Sequence, residues 1–255
     1  MGGENIKASE ICELLEKFQE INKMGWIKSM RKGTTGIGYT FETLIGKEED
    51  TITGPDFKSI EIKVKRKYGY GTVTLFNAVP DNKEKMVNEI YELYGVFNKN
   101  KNYYKTFMVT IDTTFMKRYG KHYFQLKVDK KEEKIRMEIY DENKNLIRDD
   151  ISWSYQLLED KINKKMKNLA LIKAKIKREN DIIYYNYYDI SFYEMKEFKE
   201  FINAIKLGKV KITFKMSAFI FGERTGEMDN HGVGFDINER CLDLIYKKRT
   251  TNSRF

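Results

Sequence analysis

Two carboxylates and a lysine stand close together between Gly54 and Lys65, at a spacing that could serve a metal ion. Asp56 follows a proline, Glu61 comes five residues later, and Lys63 lies two residues beyond it. Two carboxylates this close repel each other unless a cation lies between them, and their hard oxygen atoms suit Mg²⁺. A lysine beside such a metal could orient a water molecule or stabilise charge on a phosphate. The spacing therefore indicates metal-assisted hydrolysis of a phosphodiester.

The residues around this trio predict the β-strand that positions it. Ile60, Ile62 and Val64 alternate with charged residues, which is the period-two pattern of a half-buried strand. Glu61 and Lys63 then share one face, while the apolar residues anchor the other face in a core. One third of the chain is charged, so this spacing also arises by chance. The alternative interpretation is an amphipathic strand whose charged face is simply solvated.

Two further blocks of sequence accompany the strand. The residues from Gly33 to Gly46 form a glycine-rich loop that runs into a short predicted helix carrying Glu42. Gly46 is suited to end that helix. The third block lies near the C-terminus, from Arg224 to Ile237.

Together these blocks resemble the MvaI/BcnI-type restriction endonucleases, relatives of the mismatch-repair nickase MutH within the PD-(D/E)xK nuclease superfamily. The resemblance lies in Gly-x-Gly-x-Thr-x-Glu-x-Leu-x-Gly over residues 36–46, followed by Pro-Asp-Phe and Glu-x-Lys in the strand. Both blocks stand in the order and at the spacing of the family. The third block and the chain length are also similar, whereas residues 80 to 215 match at best by the order of their elements.

The resemblance implies a fold and a set of catalytic residues. The fold would be α/β and restriction-endonuclease-like, a mixed sheet flanked by helices in two lobes around a DNA cleft. Asp56 and Glu61 match the family's metal-binding carboxylates, and Lys63 matches its catalytic lysine. Glu42 matches the helix-borne glutamate of the motif, as a further metal ligand, although a surface or capping role is the alternative. The implied cofactor is Mg²⁺, with Mn²⁺ as a possible substitute.

Two basic residues, Lys65 and Arg66, continue the strand beyond the trio. MutH-like enzymes place a second basic residue near the site, so both could contact phosphates of the cleaved DNA strand. Solvation is the alternative. We expect a catalytic lobe over residues 1–80 and a DNA-recognition lobe over 81–237. A last helix at about 238–255 could return to the first lobe.

The segment 222–230 shows no apolar period, which predicts a loop rich in groups that can read DNA bases. Arg224 can donate a pair of hydrogen bonds to guanine, and Asp229 can accept one from cytosine N4. His231 could contact a base or a phosphate. A solvated hairpin tip is the alternative. The resemblance implies a short G/C-rich site of the CC-N-GG kind, but position 236 is Asp where the family pattern suggests a basic residue, so the exact site stays open.

The composition fits a DNA enzyme. Lys and Arg number 47 against 38 Asp and Glu, giving a net charge of +9. A cationic surface attracts phosphate polyanions. A lysine-rich composition that results from an AT-rich genome explains the charge equally well. The two cysteines lack metal-ligand spacing, and no apolar run reaches transmembrane length or forms a signal peptide. We therefore expect a cytoplasmic protein with reduced thiols.

Hydrophobic periodicity predicts alternating helices and strands. Ser9 and Asn238 are expected to cap the first and last helices. The other predicted helices cover 82–95, 153–167 and 193–206, after a first helix at 9–23. The predicted strands cover 60–66, 72–77, 105–111, 123–128, 134–140, 209–214 and 218–221, with a hairpin formed by 169–177 and 182–188.

The expected function is that of a type II restriction endonuclease. It would cleave double-stranded DNA as a monomer by sequential nicking, in a host that carries a cognate DNA methyltransferase. The alternatives are a MutH-like strand-nicking repair endonuclease and a non-catalytic DNA-binding protein. Intact Asp56, Glu61 and Lys63 argue against the last of these.

Overall fold

The computed structural model describes residues 7–33, 35–47, 54–68, 71–81, 83–99, 104–219 and 221–250. The Thr34 position of the glycine-rich loop and residues 251–255 of the expected last helix lie outside these ranges. In chain order the elements are α1 (Ala8–Lys23), β1 (Ile27–Lys28), α2 (Gly36–Leu44), β2 (Ile60–Arg66), β3 (Thr72–Asn77), α3 (Lys83–Tyr94), β4 (Val96–Asn98), β5 (Tyr104–Ile111), β6 (Lys117–Tyr119), β7 (His122–Asp129), β8 (Lys134–Tyr140), β9 (Leu146–Ser154), α4 (Tyr155–Lys161), a π-helical turn (Ile162–Met166), β10 (Asn168–Glu179), β11 (Ile182–Met195), α5 (Phe198–Lys206), β12 (Val210–Ala218), β13 (Met228–Asn238), a 3-10 turn (Glu239–Cys241), α6 (Leu242–Ile245) and β14 (Tyr246–Arg249).

The chain divides into two compact units. The first comprises Met1–Val73, Ile162–Glu197 and Leu242–Phe255, and the second comprises Thr74–Lys161 and Phe198–Cys241. The expected division into 1–80 and 81–237 therefore does not describe the middle of the chain. The reason is β10, which pairs in parallel with β2 and so draws its segment into the first unit. The last segment returns to the first unit, where β14 pairs with β11.

The first unit is a mixed sheet covered by helices. Its strand order is β1-β11-β10-β2, with β14 also on β11 and β2 at an edge. The apolar stripes of α1 and α2 pack on one face, where Phe18 and Phe41 meet the buried Ile62 of the edge strand. The β10–β11 hairpin predicted from the sequence is confirmed. Asn180 and Asp181 both adopt positive φ at its tip, as a two-residue turn between twisted strands requires.

The second unit holds two sheets around an aromatic core. Their strand orders are β3-β13-β12-β5-β4 and β6-β7-β8-β9. Phe107 of β5 contacts Phe124 and Phe214 edge-on at ring-centroid distances of 5.4 and 5.3 Å. Trp153 is fully buried, and its indole N–H donates to the Ala78 carbonyl at 3.0 Å. The buried donor is thus satisfied, so the large ring can remain inside the core.

Several sequence predictions fail where pairing between distant segments overrides local pattern. The helix expected at about 238–255 is an α-helix only over Leu242–Ile245 among the described residues, because Tyr246–Arg249 form β14 on β11. The strands expected at 209–214 and 218–221 are one strand, β12, which ends at Ala218. The helix expected at 153–167 starts at Tyr155, because Trp153 and Ser154 end the strand β9 on β8. The helix expected at 193–206 starts at Phe198, because 192–195 pair with β14. The loop expected at 222–230 becomes strand from Met228, which pairs with Ala218. In addition, α1 has Lys7 rather than Ser9 as its N-cap residue.

Candidate active site

A cavity of about 480 Å³ lies within the first unit, beside the edge strand β2. It brings together the four side chains that the sequence singled out for catalysis. Basic residues that the sequence analysis did not select also line it. The carboxylates are Glu42, Asp56 and Glu61, and the cations are Arg31, Lys47, Lys63 and Lys165.

Glu61 is the most deeply buried charged group of this carboxylate cavity, with no exposed surface. Its Oε1 atom accepts a hydrogen bond from Lys63 Nζ at 2.6 Å and lies 3.3 Å from Lys165 Nζ. Its Oε2 atom is buried and accepts no hydrogen bond from any described residue. Burial raises the pKa of Glu61 to about 7, and the charge of Asp56 adds to that rise while Lys63 opposes it. The face of β2 that carries Glu61 is therefore a buried acidic site, and the alternative of a simply solvated face does not hold at this residue.

Asp56 is held by the tight turn that precedes β2. The Phe57 and Ile60 backbones exchange hydrogen bonds across this turn, and Lys58 adopts a φ of 50° within it. Asp56 Oδ1 accepts from Lys47 Nζ at 2.5 Å, and Oδ2 accepts from the backbone N–H of Ile62 at 3.0 Å. Burial alone would raise the pKa of Asp56, but these two hydrogen bonds, together with the charges of Lys165 and Lys47, outweigh it and lower the pKa. Asp56 therefore stays ionised beside Glu61.

Glu42 reaches the same cavity from α2. The start of this helix is fixed by Tyr187, whose buried hydroxyl donates to the Ile37 carbonyl at 2.8 Å. A Cβ atom at Gly36 would lie 2.6 Å from the Arg31 carbonyl oxygen, so the glycine there permits the close approach of loop and helix. Gly46, with a φ of 88°, ends the helix as expected. Burial raises the pKa of Glu42, and repulsion by Asp56 adds to the rise.

The donor set fits a hard divalent cation. In the part of the chain that the structure describes, no three or more His, Cys, Asp and Glu side chains are arranged to hold a metal ion. However, Glu61 keeps a buried oxygen without a donor, and repulsion from Asp56 contributes to its raised pKa. A cation between the two would relieve both conditions, and carboxylate oxygens suit Mg²⁺.

The two basic residues that follow in β2 do not line the carboxylate cavity. Lys65 Nζ donates to the Thr72 carbonyl. Arg66 is exposed and lines a separate cleft near Trp26. Their expected role at the cleaved phosphate therefore stays a prediction, without support from their position in this cavity.

The residues expected to read DNA lie in the second unit, at the end of the β12–β13 hairpin. Arg224 Nε contacts Glu227 at 2.8 Å, and its guanidinium lies 4.4 Å from the ring centre of Phe219. Asp229 and His231 are paired, with 3.0 Å between Oδ2 and Nε2. His231 belongs to a β-bulge, because β13 has an extra residue between the Phe214–Val233 and Met216–Asn230 pairs. A β-bulge changes the direction of the side chains in it, so the bulge determines the orientation of His231.

Lys47 and Lys165 were missed by the sequence analysis. Lys47 directly follows Gly46, which ends α2, and this position next to the helix of Glu42 could have indicated a basic residue near the site. Lys165 lies on the π-helical turn, far from β2 in sequence, and only the parallel pairing of β2 with β10 brings it to Glu61. No local pattern could reveal that contact.

Comparison with known proteins identifies the family of the chain. The profile of the MvaI/BcnI restriction endonuclease family matches residues 15–246. The structure of restriction endonuclease MvaI in complex with cognate DNA is similar with a TM-score of 0.88 and 28% identity, covering 96% of this chain and 99% of that one. MvaI in the absence of DNA is similar with a TM-score of 0.59 and 26% identity, over the same shares. No curated protein sequence matches the chain. By the extent of the family match, the chain belongs to the MvaI/BcnI restriction endonuclease family.

Proposed function

We propose that this protein is a Mg²⁺-dependent type II restriction endonuclease. It hydrolyses double-stranded DNA at a short G/C-rich site, and as a monomer it cuts the two strands in turn. The observation that carries the proposal is the convergence of Glu42, Asp56, Glu61 and Lys63 on one cavity. The similarity to MvaI solved with cognate DNA supports duplex DNA as the substrate.

The carboxylates and the lysine of the cavity have different roles in the proposed reaction. Asp56 and Glu61 hold the metal, with Glu42 as a further carboxylate that could join them. When bound, Mg²⁺ supplies Lewis acidity toward the phosphate and lowers the pKa of a water molecule. Lys63 Nζ lies 2.6 Å from Glu61 Oε1, so its ammonium can orient that water or balance charge on the phosphate. Mn²⁺ has the same preference for oxygen ligands and is expected to substitute.

The cations around the carboxylates let a polyanion approach them. Three buried or half-buried acids alone would repel a phosphate, but Arg31, Lys47, Lys63 and Lys165 line the same cavity. Opposite charges placed this closely reduce the field that a DNA phosphate meets. This balance supports hydrolysis of a phosphodiester over binding of a free cation alone.

Sequence readout is proposed for the β12–β13 hairpin of the second unit. Arg224 supplies donors that suit guanine, and the acidic group of Asp229 suits cytosine N4. Asp229 also fixes the imidazole of His231 through their 3.0 Å contact. A matching DNA methyltransferase would protect the host genome, and the enzyme would act in the cytoplasm.

A plasmid assay tests the proposed function. Purified protein and supercoiled plasmid are mixed with Mg²⁺, and the products are separated on a gel before the new ends are sequenced. Linear product with defined ends supports the restriction endonuclease. Open circles alone would point to a MutH-like nickase, and intact plasmid would point to a non-catalytic DNA-binding protein.

Substitutions tie the activity to the cavity. We expect Asp56→Ala and Lys63→Ala to lose cleavage by about 10²-fold or more, because each removes charge stabilisation of the transition state. DNA binding in Ca²⁺ should persist in both. Glu20→Ala, on the exposed side of α1, is the matched control and should cut normally. Cleavage by Asp56→Ala within tenfold of the wild-type rate would contradict the assignment.

A further inference from the structure

A second cleft of about 460 Å³ opens in the first unit, past the catalytic segment of β2. Three of its lining residues are cations, Arg66, Lys67 and Lys175, and no carboxylate lines it among the described residues. None of these three forms an ion pair with a described carboxylate, and all three are exposed. The cleft therefore carries positive charge that the described part of the chain does not neutralise.

The same cleft presents two aromatic rings to solvent. Trp26 is 41% exposed and Tyr68 is 80% exposed, whereas the chain's other tryptophan, Trp153, is fully buried. Lys177 Nζ lies 4.9 Å from the Trp26 ring centre, and Lys67 Nζ lies 5.1 Å from that of Tyr68. Large rings placed beside cations at a wet surface are typical of binding sites for ligands with both charged and flat or apolar parts.

The position of this basic aromatic cleft favours one polyanion. Lys67 follows Lys63 by four residues, an even step that keeps both on the same side in the period-two alternation, and the distance is roughly 13 Å at about 3.3 Å per residue. One DNA strand carries a phosphate about every 3.4 Å along the helix axis, so this distance spans about four base pairs. A duplex held at the carboxylate cavity would thus have backbone within reach of the cleft. An acidic protein partner is not favoured in this way, because nothing in the carboxylate cavity would hold such a partner next to the cleft.

We propose that the basic aromatic cleft binds the phosphodiester backbone of the duplex that flanks the cleaved site. Arg66, Lys67 and Lys175 contact phosphates, while Trp26 and Tyr68 pack against the deoxyribose. The contact is independent of base sequence and lengthens the footprint of the first unit on DNA. This inference rests on the proposed function, which supplies the duplex.

A salt series tests the charge of the cleft. The probe is a labelled 30-base-pair duplex of mixed sequence in Ca²⁺, with affinity measured by fluorescence anisotropy from low to moderate salt. The double variant Lys67→Gln/Lys175→Gln should bind about tenfold more weakly at low salt, and the salt slope should fall by about two, one for each lost phosphate contact. Lys130→Gln/Lys131→Gln, on an exposed turn of the second unit, is the charge-matched control. Equal slopes for the two double variants would overturn the inference.

Tryptophan fluorescence tests the aromatic part in the wild-type protein. Because Trp153 is buried, quenching by iodide reports on Trp26. Saturating duplex should protect the indole, and Trp26→Phe should lose the quenchable signal. An indole equally accessible to iodide with and without DNA would overturn the inference. Wild-type protein that binds no duplex would instead overturn the proposed function together with the inference.

Discussion

The buried carboxylate of Glu61 sets the acid–base behaviour of the candidate site. Burial raises its pKa from the ordinary value of 4.5 to about 7, while neighbouring Asp56 has a lowered pKa. The two acids therefore differ in charge over much of the range below pH 7. A cation that uses Glu61 must displace its proton there, so metal binding and protonation are linked.

This linkage predicts how cation binding depends on pH. Calorimetric titration with Ca²⁺ or Mn²⁺ should show affinity falling by roughly tenfold for each pH unit below 7 and levelling off above it. Glu61→Gln should bind weakly at every pH and lose the dependence, whereas Glu20→Gln should follow the wild type. Affinity of the wild type that is unchanged between pH 5.5 and 8 would show that Glu61 is not a ligand.

The raised pKa of Glu61 also makes the free energy of unfolding depend on pH when no cation is bound. The folded protein holds the Glu61 proton to higher pH than the unfolded chain does, because the folded pKa is the higher one. The stabilisation is therefore complete below about pH 4.5 and is lost as pH rises through about 7. Added cation should restore the free energy of unfolding above that pH.

Arg224 allows a test of base readout at the scale of one residue. Its ion pair with Glu227 joins two exposed groups, so giving it up for a base contact costs little. Arg224→Ala should weaken binding to the cognate duplex by ~1–3 kcal/mol and leave a scrambled duplex nearly unchanged. Binding of both duplexes across a salt series provides the measurement. If both affinities fall equally and the salt slope flattens by about one, Arg224 contacts the backbone instead.

Among the elements, β14 and the π-helical turn together hold Lys165 beside Glu61. Tyr246 of β14 is buried, and its hydroxyl donates to the carbonyl of Met166, the last residue of the turn, at 2.9 Å. The C-terminal segment therefore fixes a cation of the candidate site without lining it. Single π-helical turns often occur at functional sites, and this one carries a functional candidate.

Removing that hydroxyl tests the link. Tyr246→Phe should lower the free energy of unfolding by about 1–3 kcal/mol, because the Met166 carbonyl loses its buried donor. It should also slow plasmid cleavage, since Lys165 is no longer held in place. Tyr184→Phe makes the same chemical change where no hydrogen bond of the hydroxyl is described, and it should denature like the wild type. A Tyr246→Phe protein with unchanged stability in urea would refute the link.

The elements also show how far the sequence alone could lead. The bounds of β2 and β3 were predictable because their apolar alternation is local, and Glu42, Asp56, Glu61 and Lys63 followed from the family's motif. The strand β9 was missed although Ile151 and Trp153 alternate with serines, because this alternation is short and runs directly into the helical period that follows it. Lys165 was not predictable, because a parallel pairing leaves no local trace. The start of α5 was missed because β11 continues through Met195 in an antiparallel pairing with the distant β14, which no local pattern reveals.

For the whole molecule, the carboxylate cavity lies within one unit of one chain. We therefore predict a monomer that cuts the strands in separate events, so that supercoiled plasmid passes through an open-circle intermediate before it becomes linear. A time course on a gel and analytical ultracentrifugation provide the measurements. A stable dimer in the absence of DNA, or linearisation without any nicked species, would contradict the prediction.

The first unit is assembled from three separate stretches of chain, and this order matters while the protein is being made. A ribosome delivers β2, with Asp56, Glu61 and Lys63, roughly a hundred residues before its partner strand β10, and β14 comes later still. At 5–20 residues per second, the interval before β10 lasts on the order of 5–20 s. Until then β2 lacks its partner strand β10, and Lys165 has not been synthesised. The nascent chain is therefore expected to be inert toward the chromosome of its host, and cutting activity arises only once synthesis has passed the strands that enclose the acids.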